Sequence, residues 1–192
     1  MKKILIGIGI FLILLLAVFA VLGIYVRNNS TRMVVMQEGV NASWAQVQTV
    51  LQRRFDLIPN LVETVKGYAS HEERVLTAVT EARAKVGGAA TPADRIKAEG
   101  ELSGALSRLM VVVENYPQLK ANQNFIMLQD QLEGTENRIA VERQRYNELV
   151  RTYNQYIRMF PQNIVAGMFG FEKRVFFEAP GEAQQAPKVK FK

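Results

Sequence analysis

The residues that most invite a chemical reading stand together at His71, Glu72 and Glu73. One imidazole beside two carboxylates has the donors for a metal site or an acid–base pair. The spacing withholds both. A zinc-binding HExxH helix needs a second histidine one turn on, and position 75 is Val; the chain has only one His. A hydrolytic triad would need an activated nucleophile paired with this same imidazole. A carboxylate-bridged metal pair in a helical bundle would need E-x-x-H on two helices. With no Cys there is no thiolate nucleophile, disulfide or Cys-ligated metal. Gly87–Gly88–Ala89–Ala90–Thr91 lacks the Lys and flanking strand of a phosphate loop, and the glycines at 7 and 9 lie inside an apolar run. Tyr116, Tyr146, Tyr153 and Tyr156 fall at helical spacing and read as core aromatics. The sequence therefore offers no catalytic residue, no cofactor-binding residue and no metal ligand set. His71 reads as an exposed first-turn residue whose neighbouring glutamates complement a helix dipole.

Two other charges stand out because they interrupt apolar seams. Arg54 falls in the series Val40, Trp44, Val47, Leu51, Arg54, Ile58, Leu61, Val65, Tyr68. Glu142 falls in the series Phe125, Leu128, Leu132, Thr135, Ile139, Glu142, Tyr146, Leu149, Tyr153, Tyr156, Phe160. Both advance by threes and fours, the period of a coiled-coil seam. If the helices run antiparallel with Val40 beside Tyr156 and Tyr68 beside Leu128, Arg54 meets Glu142. A buried Arg54–Glu142 ion pair that fixes register is the expectation, since a slip would strand both charges.

The elements that carry these residues follow from the rest of the pattern. The 192 residues are 48% hydrophobic and 22% charged, ordinary for a globular protein, but the average conceals a division. Ile4–Val26 holds no charged side chain, and as a helix it rises about 35 Å, enough to cross a hydrocarbon core of roughly 30 Å. A cleaved signal has a shorter apolar core of about 7–15 residues, so a retained single-pass anchor fits better. Lys2 and Lys3 precede the run and Arg27 and Arg32 follow it. With the α-amine, the balance favours a cytoplasmic N-terminus and an exported domain. Beyond the anchor, 22 basic and 18 acidic residues are interspersed without a basic–aromatic platform, which argues against nucleic-acid binding.

After the anchor the reading is all helix. Pro59 lies in a seam that keeps phase across it, so it is expected to kink the first helix rather than end it. Ser70 with Glu73 resembles a capping box for a second helix ending at Gly87–Gly88. Thr91–Pro92 reads as N-cap and first residue of a third helix that continues toward Asn115. The long last helix ends at Pro161, and Arg174–Glu178 has the composition of a short strand. The expected fold is all-α, with an N-terminal single-pass transmembrane helix followed by an elongated antiparallel four-helix bundle. Residues 1–28 form the anchor, 29–178 the bundle with a membrane-proximal C-terminal segment, and 179–192 a flexible tail. Phe169, Phe171, Phe176 and Phe177 are expected at the bilayer boundary or in a contact between subunits.

The stretches RRFDLIPNLVETVKGYASHE from Arg53 and ENYPQLKANQNFIMLQDQLEGTENRIAVERQRYNELVRTYN from Glu114 resemble the LemA family, as do FP followed by GF and FFE near the end. The resemblance covers nearly the whole chain. It implies a bacterial membrane-anchored helical bundle with no established catalytic residues to carry over, and it does not fix orientation. Some relatives bear a lipidated Cys after an export signal; here Gly23–Ile24 stand at that place and lipidation is excluded. Together the residues and the resemblance point to a non-enzymatic structural, scaffolding or interaction protein of the inner membrane. It would engage the bilayer through residues 4–26, form homo-oligomers, display its domain on the periplasmic side and meet other envelope proteins. The alternative is an envelope enzyme or metal-dependent hydrolase using acidic groups such as Asp56, Glu72 and Glu73.

Overall fold

The computed structural model describes residues 2–177, with side chains from residue 6 onward. The proposed tail, 179–192, lies outside the described residues. Six helices follow one another: α1 (Lys2–Lys66), α2 (Glu73–Gly88), α3 (Pro92–Val113), α4 (Pro117–Lys120), α5 (Gln123–Tyr156) and α6 (Gln162–Phe169). Among the described residues there is no strand. Arg174–Phe177 is extended but pairs with side chains instead of another strand.

The anchor and first bundle helix are one element of 65 residues, with Pro59 inside it. Expected boundaries shift where backbone turns compete. Tyr68 lies beyond α1, in a turn closed by Ala69 N–H donating to Val65 O at 2.8 Å. The capping box at Ser70 does not form. Glu72 occupies the N-cap position without a side-chain cap, and its carboxylate instead accepts from Tyr116 Oη at 2.9 Å. That bond raises the Tyr116 phenol pKa above its ordinary value, with burial adding to the effect. Thr91 caps α3 as expected, its Oγ1 accepting from Asp94 N–H at 3.1 Å, with Pro92 in the first turn. Between α3 and the long last helix, α4 makes one separate turn. Asn122 Oδ1 then accepts from Phe125 N–H at 3.1 Å to open α5.

The chain forms two compact units. The larger comprises 43–147 with the segment from Val175 onward. Its core takes Ile58, Leu61 and Val65 from α1, Leu76, Val79 and Val86 from α2, Leu102, Leu109 and Val113 from α3, and Phe125 and Leu132 from α5. Within each set the steps are three, four or seven residues, so each helix buries one stripe. Here α1 and α5 are antiparallel, as expected, but in a different register. Trp44 lies against Tyr146, with ring centroids 5.3 Å apart, Arg54 against Glu136, and Tyr68 against Asn122. In these three contacts the partner is six residues earlier than the expected one.

The smaller unit comprises 1–42 and 148–174. Met33 and Val40 of α1, Val150 and Tyr153 of α5, Ile157, and Val165 and Ala166 of α6 form its buried contacts. Tyr156 Oη donates to Asn29 Oδ1 at 2.7 Å, and the Arg32 guanidinium lies 4.9 Å from the Tyr156 ring centroid. Asn154 holds both backbone groups of Arg174, at 2.8 and 2.9 Å. Gly170, at φ 70°, supplies the left-handed turn that ends α6.

Tyr153 is fully buried and its hydroxyl has no hydrogen-bond partner. Burial disfavours the phenolate and raises its pKa. The folded state therefore loses stability from this group as pH rises above the unfolded tyrosine value of about 10. Tyr153→Phe should cost under about 1 kcal/mol, or stabilise, at pH 7 and hold its midpoint better than the parent above pH about 10 in urea titrations. A loss of more than about 2 kcal/mol at neutral pH would show that the hydroxyl is satisfied after all.

Candidate functional site

The most concentrated buried charge lies in the larger unit. Arg54 of α1 is 3% exposed and Glu99 of α3 is 2% exposed. An Arg54 Nη2–Glu99 Oε2 hydrogen bond joins them. Arg54 Nη1 also donates to Glu136 Oε2 of α5 at 2.6 Å and to Ser103 Oγ at 3.0 Å. Arg95, one turn before Glu99, places Nε 3.4 Å from Glu99 Oε1. Two guanidinium groups thus face two carboxylates, and the cluster is neutral overall. Three helices meet through one side chain because a guanidinium offers five donors in a planar fork.

These groups sit at the wall of an open groove of about 1460 Å3, bordered by small residues of α2 and α3 and by Phe176 and Phe177. Gly100 and Gly104 of α3 have nothing within 4 Å of where a Cβ would stand. At the groove margin Lys85 donates to Glu101 at 2.6 Å. This holds the Glu101 carboxyl below its usual range and raises the Lys85 ammonium pKa, both chiefly through the hydrogen bond. The charges serve one another. Among the described residues no group of three or more His, Asp or Glu is placed to hold a metal ion.

The expected Arg54–Glu142 pair is corrected: Arg54 is buried and paired as expected, but its partners are Glu99 and Glu136. Glu142 instead accepts from Arg145 at 3.2 Å on the same helix. The six-residue displacement of α5 removes Glu142 from the level of Arg54, and α3 supplies the buried countercharge. The α3 sequence carried a signal for it: Glu99 lies three residues before Leu102 and seven before Leu106, on the apolar stripe. Arg95 is placed at i−4 to accompany it.

The four phenylalanines divide between the two units and differ in exposure. Phe177 is 6% exposed, stacked near Trp44 with centroids 6.4 Å apart, and Arg143 lies 5.6 Å from its ring centroid. It is a core residue of the larger unit, in place of the expected bilayer-boundary or subunit contact. Phe176 is 42% exposed in the same unit. In the smaller unit Phe169 is 55% exposed and Phe171 is half-buried. Sequence reasoning also missed Asn147, whose side chain holds both backbone groups of Phe177 at 2.8 and 2.9 Å. Asn147 and Asn154 are seven residues apart in a helix, and Arg174 and Phe177 three apart in an extended segment. Each interval spans about 10 Å. His71 is exposed, Asp56 accepts from Gln52 Nε2 at 2.8 Å, Glu72 is engaged by Tyr116, and Glu73 opens α2. The structure does not bring these acids together with the histidine as a metal site.

A family model described as the LemA family matches residues 43–191. The chain belongs to the LemA family. Magnetosome protein MamQ 1 and MamQ 2 of Paramagnetospirillum magneticum are each 27% identical over 171 residues, covering 76% of this chain and 63% of theirs. The chain thus spans about 63% of the length of these relatives. Protein LemA of Metamycoplasma hominis is 23% identical, covering 88% of this chain and 77% of its own. The family match begins at Ser43, where the larger unit begins, and takes in Arg54, Glu99 and Glu136. Among the described residues, one helix is long and apolar enough to cross a membrane; it lies near the N-terminus of this family member, with its apolar window unburied. The sequence relatives and this helix point to a membrane location.

Arg54→Met should destabilise by about 3–5 kcal/mol, because Glu99 would remain buried without its cation. Adding Glu99→Leu should recover much of that loss, whereas Glu142→Leu should be additive with it. Denaturant titrations of both cycles check this. Additivity for Arg54 with Glu99 would remove the network from the account.

Proposed function

We propose that this chain is a non-enzymatic, membrane-anchored scaffold or interaction protein that assembles with itself. Its anchor, residues 4–26, sits in the bacterial cytoplasmic membrane, and the bundle, residues 29–178, lies on the periplasmic side and presents surfaces to other envelope proteins. The observation that carries this reading is the continuity of α1. The apolar run passes into the buried residues Asn29, Met33 and Val40 without a break. A helix with no linker holds the adjacent packed segment in one orientation to the bilayer. Copies confined to one surface then meet with the same faces aligned and at raised effective concentration. Val34 and Val35, 49% and 65% exposed just beyond the apolar run, offer an apolar contact there.

Support for a non-catalytic role comes from the groove, where the strongest charges neutralise one another instead of pointing at a vacant position. The orientation rests on Lys2, Lys3 and the α-amine against Arg27 and Arg32.

Crosslinking in native membranes, followed by identification of captured species, tests the reading. Self-linked dimers and higher species are expected, and mass photometry of the detergent-solubilised chain should show oligomers that grow with concentration. Strict monomers in both measurements would contradict self-assembly.

A further inference from the structure

The smaller unit carries an apolar surface unlike an ordinary protein exterior. Phe160 is 81% exposed, the highest value of any large hydrophobic side chain among the described residues. Met159, Ile164, Met168 and Phe169 are 58%, 55%, 67% and 55% exposed. A short surface helix normally turns a polar face to water. Instead α6, with sequence QNIVAGMF, buries Val165 and Ala166 and leaves Ile164, Met168 and Phe169 outside.

Two observations identify what such a surface meets. The first is place: Tyr156, three residues before Met159, is hydrogen-bonded to Asn29, and Asn29 is three residues, about 4.5 Å of helix, past the end of the apolar run at Val26. The second is charge. Residues 6–37 and 149–171 contain no Asp or Glu, while Arg27, Arg151 and Arg158 are exposed. An apolar face intended for a soluble protein partner has no need to exclude every acid. A face resting on anionic headgroups does, because each carboxylate there would be repelled and each Arg or Lys attracted by about 1 kcal/mol.

We infer that Met159, Phe160, Ile164, Met168 and Phe169 form a second membrane contact, in which α6 and the turn before it enter the headgroup–acyl boundary of an anionic phospholipid bilayer beside the span. The apolar side chains seat about 5–10 Å into that boundary, as an interfacial helix does. Arg158, directly before Met159, is exposed, and the exposed Glu172 and Lys173 follow the segment as a neutral pair. The inference rests on the reading of residues 4–26 as a span, and it gives the adjoining segment a defined attitude to the bilayer surface.

The absence of Cys makes the full chain a clean background for single labels. The variants Phe160→Cys, Ile164→Cys and Met168→Cys are each labelled with a nitroxide and reconstituted in vesicles of phosphatidylcholine with phosphatidylglycerol. Collisions with oxygen are compared with those of a water-soluble nickel chelate. Thr152→Cys serves as the water-exposed reference and Leu16→Cys as the reference within the span. The expected result is a several-fold higher oxygen-to-nickel collision ratio at 160, 164 and 168 than at 152, corresponding to depths of about 5–10 Å. The Leu16 label should report greater depth. In vesicles of phosphatidylcholine alone, the nickel protection at these sites should fall. Circular dichroism verifies that each variant keeps its helicity.

Nickel accessibility at 160, 164 and 168 equal to that at 152, with Leu16 deep in the bilayer, would overturn the inference and leave the span intact. Protection accompanied by spin–spin broadening, with both vanishing as unlabelled chain and lipid are added, would assign the face to a second copy and also overturn it. A water-exposed Leu16 label would remove the span and this inference together.

Discussion

A single buried guanidinium constrains how the larger unit can pack. Arg54 lies on the inner stripe of α1, where a charge without partners would cost several kcal/mol, so the neighbouring helices must deliver carboxylates to it. Glu99 comes from α3 and Glu136 from α5. A shift of either helix by one turn moves its acid about 5.4 Å along the axis and breaks the contact. The apolar seams on both sides of Arg54, with Val47, Leu51, Ile58 and Leu61 all at 0–1% exposure, supply most of the burial but repeat too regularly to choose one register. Apolar contacts make the helices associate, and the ion network decides where they stop. Pairing Trp44 with Tyr146 and Tyr68 with Asn122 is the geometry that results.

Much of this was legible in the sequence, and the failures have physical causes. Helix type, the Thr91 cap, the tolerance of Pro59 and the burial of Val47, Leu51, Ile58, Leu61 and Val65 all follow from local periodicity and capping. The ion-pair partner did not follow, because a heptad pattern leaves the alignment of two distant helices undetermined. Matching one interrupting charge with another considered only two helices, while the structure recruits a third. Ser70 failed as a cap because the turn after α1 closes through backbone groups and Glu72 is claimed by Tyr116. Neither outcome is encoded within a four-residue window. Phe177 was expected at the bilayer boundary or a subunit contact, but Asn147, thirty residues earlier, and Trp44 hold it in the core.

The same physical features separate support from contact. In the larger unit the charged groups at the groove satisfy one another, a pattern suited to holding helices in place. In the smaller unit the order is reversed: apolar side chains point outward and acids are absent from 149–171. In this LemA-family chain the larger unit therefore compensates its charges internally, and the smaller unit exposes apolar side chains.

The central claim is that the Arg54 network sets the register of α1 against α5. Pulsed electron-spin distance measurement tests it most directly, using one nitroxide at Tyr68→Cys and a second at either Asn122→Cys or Leu128→Cys in the full chain. Asn122, which caps α5, and Leu128 within it are six residues, about 9 Å, apart along the helix axis, well within the resolving power of the method. The account predicts the shorter distance for 68 with 122, and a broadened distribution when Arg54→Met is added. A shorter distance for 68 with 128, or a distribution unchanged by Arg54→Met, would contradict it.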